Sequence, residues 1–233
     1  MTADLAKINA AAAALDYVKD GMIVGLGTGS TSAHFVRLLG ERVRQGLRVK
    51  GVPTSEATKA LAEEVGVPLL SISQVTNIDI DVDGADEVDP RFRLIKGGGG
   101  ALLREKIVAA ASTNMIVIAD DTKAVETLGA FPLPVEVTRF GFALTAKRVY
   151  DALKKTGCEG SEVVLRTSGK GNDPVVTDGG NYILDAHAKR IPSPDSLGAA
   201  LKQIAGVVEH GLFLGLAKTV ILGKAKGAEI RER

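Results

Sequence analysis

MIVGLGTGSTSAHFVRLLGERVR (22–44) decides the fold. Residues 22–26 are short and wholly apolar, as in a strand buried on both faces. Gly27-Thr28-Gly29-Ser30-Thr31 follows as a loop, and Phe35, Val36, Leu38 and Leu39 then set a helix over 32–44. Strand, Gly/Thr/Ser loop and helix open a doubly wound α/β sheet, and such a loop meets phosphate at the helix N-terminus. Gly25-x-Gly27-x-Gly29 is not the G-x-G-x-x-G spacing, and the next strand, over 48–52, ends without the acid that a dinucleotide ribose requires. Ser30 stands where a P-loop needs lysine. Nicotinamide and nucleoside triphosphate are therefore excluded, and the hydroxyls of Thr28, Ser30 and Thr31 suit one small phosphate. The plainer alternative is that one of them merely caps the helix.

Outward from this stretch the alternation continues. A helix is expected over 4–19, another over 55–65, and strands over 68–72 and 114–119. The last strand ends in Asp120-Asp121-Thr122-Lys123, which makes Lys123 a candidate phosphate or sugar contact, because open α/β sheets bind ligands at strand C-termini. Composition shifts at Phe131-Pro132-Leu133-Pro134. Beyond it come strand 135–138, helix 142–155, strand 162–167, strand 175–186 broken at Gly179-Gly180, helix 196–204 and strand 207–209. That βαββαβ order is ferredoxin-like. The chain returns through 212–216 to a strand over 219–222, and the charged tail 224–233 is expected to fray. The expected fold is α/β: a doubly wound Rossmann-like catalytic domain over 1–132 and 208–233, with a smaller inserted ferredoxin-like α+β domain over 133–207.

The chemistry concentrates in IDIDVDGADEVDPRFRLIKGGGGALLREKIVAAA (78–111). Apolar residues alternate with Asp79, Asp81 and Asp83 as in a strand, Gly84 breaks it, and Asp86, Glu87 and Asp89 follow in a turn closed by Pro90. Lys96 ends a short apolar run. Gly97 to Gly100 cost backbone entropy and bury nothing, so close approach of a ligand to main-chain amides is the reason to look for. A helix starts near Ala101, with Leu102, Leu103, Ile107 and Ala110 expected inward and Glu105 one turn in, where the macrodipole favours a carboxylate. A carboxylate, a lysine and an amide nest suit proton abstraction beside a carbonyl. Taken singly, each part has a plain reading as solvated Glu, linker or turn.

Composition excludes several classes. Across 233 residues the chain is 45% hydrophobic with 4% aromatics and no Trp, so the core is aliphatic. A net charge of +1 offers no field for nucleic acid or an anionic membrane. The single cysteine, Cys158, allows no intrachain disulfide, and with no secretory pattern at the N-terminus the expected location is cytoplasmic.

GLGTGST (25–31), DGADEVD (83–89), KGGGGALLREK (96–106) and PLPVEV (132–137) resemble type A ribose-5-phosphate isomerase, as do VTDGGNYILD (176–185) and VVEHGLF (207–213). The resemblance spans essentially the whole chain. It implies aldose–ketose isomerisation of ribose 5-phosphate and ribulose 5-phosphate in the pentose phosphate pathway, with no metal and no nucleotide cofactor. It implies Glu105 as the base, and substrate contacts from Thr28, Gly29, Ser30, Thr31, Asp83, Gly84, Ala85, Asp86, Lys96, Gly97, Gly98, Gly99 and Lys123. Family members are commonly dimers, sometimes tetramers, so a homodimer is expected. Many members carry Asn-Gly where this chain has Gly179-Gly180.

Residues and resemblance together give a division of labour. Thr28, Ser30 and Thr31, with a lysine, Lys7 being assigned to the substrate, hold the phosphate. Glu105 moves a proton between C1 and C2, Lys96 and the glycine amides stabilise the enediolate oxygen, and Asp83 or Asp86 handles hydroxyl protons. His34, His187 and His210 lie outside the motifs and are read as structural. Three rivals remain. One is an acyl-CoA transferase with a nucleophilic glutamate. Another is a metal-dependent transferase using Asp79, Asp81 and Asp83. The third is a phosphosugar-binding regulatory module, which would need a DNA-binding segment.

Overall fold

The computed structural model describes residues 2–169 and 173–233. The helices are α1 (Thr2–Leu15), α2 (Ser30–Arg44), α3 (Glu56–Glu64), α4 (Leu102–Ala110), α5 (Phe142–Lys155) and α6 (Pro194–Lys202). The strands are β1 (Ile23–Leu26), β2 (Lys50–Pro53), β3 (Ile78–Gly84), β4 (Glu87–Val88), β5 (Leu94–Ile95), β6 (Ser112–Asp120), β7 (Leu133–Val137), β8 (Glu162–Leu165), β9 (Tyr182–His187), β10 (Val207–His210), β11 (Leu212–Phe213), β12 (Ala217–Gly223) and β13 (Ala228–Glu232). They form two compact units, one of Met1–Ala85, Arg104–Ala124 and Gly215–Arg233, the other of Asp86–Leu103 and Val125–Leu214.

The first unit is an open sheet of six strands in the order β13-β12-β6-β3-β1-β2. All are parallel except β13, which pairs antiparallel with β12. Apolar runs make the central strands suitable for burial on both faces. On one face Val24, Leu26, Ile80, Val82, Ile116 and Ile118 share a core with Phe35 and Leu39 of α2 and with the alanines of α1. On the other face Val108 of α4 packs with Val52 and Ile78. β1 has β2 on one side and β3 on the other, so the strand order reverses at the β1/β3 boundary, the place where open α/β sheets bind ligands.

The second unit holds a four-stranded sheet in the order β10-β7-β9-β8, every pair antiparallel. Val149 and Leu153 of α5 and Leu197 and Leu201 of α6 pack with Val135, Val137, Leu184 and Ala186. Because those strand residues share one face, Glu136, Ile183 and Asp185 belong to the other. A three-stranded ribbon, β11-β5-β4, completes the unit. Segments 86–103, 125–132 and 208–214, expected in the first domain, group here because β5 pairs with β11 and the Gly211 N–H bonds to Pro134 O.

Several local expectations change. Residues 68–72 form no strand: Pro68 and Leu69 meet β2 through a single bridge at Gly51, and a 3-10 turn (Ile72–Gln74) follows under a Ser71 capping box. The turn at 86–89 contains β4, since Glu87 and Val88 pair with Ile95 and Leu94. The strand expected over 175–186 is ordered as β9 from Tyr182 only, with a tight turn at Thr177 to Gly180. The tail does not fray. Its backbone pairs with β12 as β13, and its charges stay outward, which suits an edge strand. Among the described residues no helix is long and apolar enough to cross a membrane.

Candidate active site

In the first unit the loop after β1 and the end of β3 meet the switch point. Gly29, at φ 107°, is the N-cap of α2 and supplies no side-chain cap, so the hydroxyls of Ser30 and Thr31 are not spent on capping. The first-turn N–H groups of a helix lack intrahelical acceptors, and the dipole there favours an anion. Lys7 Nζ donates to Ser30 Oγ at 3.0 Å, bringing a cation from α1 to the same helix end. The Thr28 hydroxyl turns into a cluster with Thr54, Ser55 and Thr58, at 2.7, 2.9 and 3.2 Å. Thr58 in turn donates to Gly27 O at 2.9 Å. Loop, β2 end and α3 start are thus tied by hydroxyls that sequence reading did not connect. Lys123 lies in the 3-10 turn Asp121–Lys123 at the end of β6, two strands away in the order.

The glycines of GLGTG have a second purpose. Gly25 is the register partner of Asp81. A β carbon on Gly25 would stand 2.6 Å from Asp81 Oδ1 and 2.7 Å from Val108 Cγ1, and one on Gly27 2.1 Å from Asp83 Oδ1. The two buried carboxylates therefore lie over the bare backbone of β1 and of the loop that follows it, a close approach that only glycine allows. Asp83 Oδ1 accepts from Thr28 N at 3.0 Å, Ser32 Oγ at 3.3 Å and Gly84 N at 2.7 Å, which fixes the carboxylate beside the loop.

Glu105 is 4% exposed. The buried face of α4 is Leu102, Glu105, Val108 and Ala109, whereas Ile107 is 49% exposed, so the expected inner face through Ile107 and Ala110 is rotated. The spacing i, i+3, i+6 aligns Glu105 with Val108, which sits above Gly25. The N–H of Ile78, at the start of β3, bonds to Ala111 O, just past the end of α4. Helix and strand thus run in opposite senses, and Glu105, one turn before Val108, lies towards the Asp83 end. Arg104 Nη1 to Glu56 Oε1, 2.8 Å, anchors that turn to the start of α3 and holds the Glu56 carboxyl below the usual range.

In the second unit Asp86 and the glycine run face one another. Asp86 N donates to Ile95 O at 2.9 Å, and Gly98 N donates to Asp86 Oδ2 at 2.8 Å. Gly97 has φ 105°, and a β carbon on Gly98 would be 2.7 Å from Asp86 Oδ1 and 3.0 Å from Phe131 Cζ. Lys96 is 2% exposed, its N–H bonds to Gly211 O, and its Nζ lies 5.3 Å from the Phe213 ring centroid. Glu87, expected as a turn residue, is buried and accepts from Gly129 N at 2.7 Å and Phe131 N at 2.6 Å.

Of the residues expected together in the first domain, Thr28, Gly29, Ser30, Thr31, Lys7, Asp83, Gly84, Ala85, Glu105 and Lys123 lie in one unit, and Asp86, Lys96, Gly97, Gly98 and Gly99 lie in the other. Sequence reading missed the pairing of Gly25 and Gly27 with Asp81 and Asp83, which two matched x-spaced pairs on neighbouring strands could have revealed. The metal-dependent reading fails on geometry. Asp79 and Asp83 are four strand residues apart, roughly 13 Å, and Asp79 Oδ2 accepts from Ile23 N at 2.7 Å. Among the described residues no three His, Cys, Asp or Glu gather to hold a metal.

An open α/β sheet with an anion-ready loop at its switch point and buried carboxylates beside it suits the class of α/β enzymes that handle small anionic metabolites. Comparison with known proteins narrows this. Residues 50–227 match the family model for ribose 5-phosphate isomerase A (phosphoriboisomerase A). The ribose-5-phosphate isomerase A of Maricaulis maris is 58% identical over 100% of both chains, and that of Afipia carboxidovorans 60% over 100% of this chain and 98% of its own. Among solved structures, ribose 5-phosphate isomerase A from Methanocaldococcus jannaschii superposes with a TM-score of 0.89 at 39% identity, covering 98% of each chain. A D-ribose-5-phosphate isomerase in complex with phospho-erythronic acid superposes at 0.90 with 41% identity, covering 100% of each. The chain belongs to the ribose 5-phosphate isomerase A family.

Proposed function

We propose that this chain interconverts D-ribose 5-phosphate and D-ribulose 5-phosphate through an enediolate, with Glu105 moving the proton between C1 and C2. The observation that carries this reading is the burial of Glu105 on the inner face of α4, in the part of that helix nearer the Asp83 end of β3. A carboxylate screened from water is placed to take a carbon-bound proton. Family membership supplies the substrate and the pentose phosphate pathway.

The other roles follow from chemistry. Ser30, Thr31 and the α2 N-terminus, with Lys7, hold the phosphate, supported by the Lys7–Ser30 bond and the uncapped Gly29. Thr28 orders the loop, and Lys123 contacts the sugar phosphate from the end of β6. Lys96 and the amides of Gly97 to Gly99 stabilise the enediolate oxygen, a role that needs a fixed cation and N–H groups in place before charge develops. Asp83 or Asp86 carries the hydroxyl protons, including those of ring opening. Phospho-erythronic acid, found with the 41%-identical relative, carries a carboxylate where an enediolate would bear its charge. It is a suitable mimic for this chain too.

The antiparallel order β10-β7-β9-β8 with two helices on one face supports a ferredoxin-like inserted domain that runs from β7 to the end of β10. A homodimer in the cytoplasm completes the proposal, supported by family resemblance and the lone, buried Cys158. The acyl-CoA transferase and regulatory readings lose to the family match.

Purified protein treated exhaustively with EDTA is expected to form ribulose 5-phosphate from ribose 5-phosphate at its untreated rate. Absence of conversion would overturn the function. Loss on chelation, restored by a divalent ion, would overturn the metal-free mechanism.

A further inference from the structure

Arg166 lies just past β8, outside every motif above. Its Nε and Nη2 donate to the two carboxylate oxygens of Asp185 on β9, the Nε bond at 2.9 Å. Its Nη1 donates to Gly97 O at 2.9 Å and to Gly98 O at 3.0 Å. One guanidinium thus holds two successive carbonyls of the glycine run while a carboxylate fixes its own plane. The side chains of the pair are 15% and 17% exposed, so the contact is sheltered. The main chain of Arg166 is fixed as well, its N–H bonding to Ile183 O and its carbonyl accepting from Val175 N.

A trans peptide is planar, with its C=O and the next N–H pointing opposite ways. Holding the Gly97 carbonyl therefore aims the Gly98 N–H away from Arg166, and that N–H bonds to Asp86 Oδ2 at 2.8 Å. Holding the Gly98 carbonyl turns the Gly99 N–H the same way. Four consecutive glycines have no side chains to set these peptides, and alone they would sample many conformations. We propose that Arg166, oriented by Asp185, is a positioning residue that sets the peptide planes of Gly97 and Gly98 and, through them, the orientation of Asp86. This rests on the reading that the glycine run and Asp86 serve the isomerisation. A lysine could not replace it, because a single ammonium cannot grip a carboxylate side-on and meet two carbonyls together.

Kinetics on four variants test the idea. Arg166→Ala is expected to lower kcat about 10²-fold, the scale of a misplaced catalytic group, with KM for ribose 5-phosphate near wild type because the phosphate is held elsewhere. Arg166→Lys should fail to recover the rate. Inhibition by phospho-erythronic acid should weaken in step with kcat, and added guanidinium ion should restore part of the rate of Arg166→Ala. A merely structural role would move none of these in that pattern. Arg166→Ala combined with Asp185→Ala removes the orphaned carboxylate. If that double variant recovered both melting temperature and kcat, only charge balance was lost and the proposal fails. Gly98→Ala separates the two layers. If it loses kcat while Arg166→Ala does not, the positioning role alone falls. If Gly98→Ala keeps wild-type kcat, the assignment of the glycine run to the substrate falls, and the proposal with it.

Discussion

Asp83 lies against the bare backbone of Gly27, so closely that a β carbon there would stand 2.1 Å from its Oδ1 and 2.5 Å from its Cα. One contact is with main chain, which cannot rotate away. Gly27→Ala should therefore cost about 2 kcal/mol or more, the scale of an overpacked core, and displace Asp83 from the loop. Urea unfolding should report the loss, and kcat/KM should fall with it. Wild-type stability and activity in Gly27→Ala would contradict the close approach.

Glu105→Gln preserves size and removes the base. General-base catalysis is worth on the order of 10²–10⁴ in rate, so kcat should drop by that much while KM changes little. In D₂O the wild type should incorporate deuterium at C2 of ribose 5-phosphate, and the variant should not. Circular dichroism should be unchanged. A near-normal kcat would move the base to Asp83 or Asp86, and a glutamyl thioester trapped on Glu105 with an acyl-CoA would revive the transferase reading.

Ser30→Ala with Thr31→Ala should chiefly raise KM, because phosphate contacts exist in ground and transition states alike. Lys7→Ala should act in the same direction through the lost cation near Ser30. Unphosphorylated ribose should be a far poorer substrate than its phosphate. Equal turnover of the two sugars by the wild type would remove the phosphate role from the loop.

Lys224 and Arg231 hold the Glu229 carboxyl at about 2, below its ordinary value of 4.5. A carboxyl depressed on folding contributes stability above the unfolded value, and that contribution is lost as pH falls from 4.5 towards 2. Amide-exchange protection in β13 should weaken across that window. A carboxyl-carbon titration of Glu229 by NMR should give a midpoint near 2, rising in Arg231→Ala. A midpoint unchanged by that substitution would show that the ion pair is not the cause.

The first unit was readable because its signals are local. Apolar runs, the loop at 27–31 and the acid–apolar alternation at 78–83 each sit within one element. β13 was not readable, since a charged segment pairs through its backbone, which carries no sequence signature. Neither was the buried side of Glu105. A carboxylate on an inner helix face violates the patterning used to find that face, and Ile107 was preferred for its apolarity although it is half exposed. Arg166 escaped for a different reason. Besides Asp185, its partners are two carbonyls some seventy positions away, and carbonyls are the same on every residue.

β12 stands between β6 and β13, so this flank of the six-stranded sheet is completed by strands that follow the whole of the second unit in sequence. On the ribosome, β6 presents an unpaired edge containing Met115, Ile116, Val117 and Ile118 until residues 121–216 have been added. At translation speeds of about 5–20 residues per second that exposure lasts roughly 5–20 seconds. The second unit is synthesised entirely within this interval, apart from its first segment. A nascent chain stalled before Ala217 should therefore carry an adhesive strand edge, engage chaperones, and lose that affinity once β12 emerges and closes the gap.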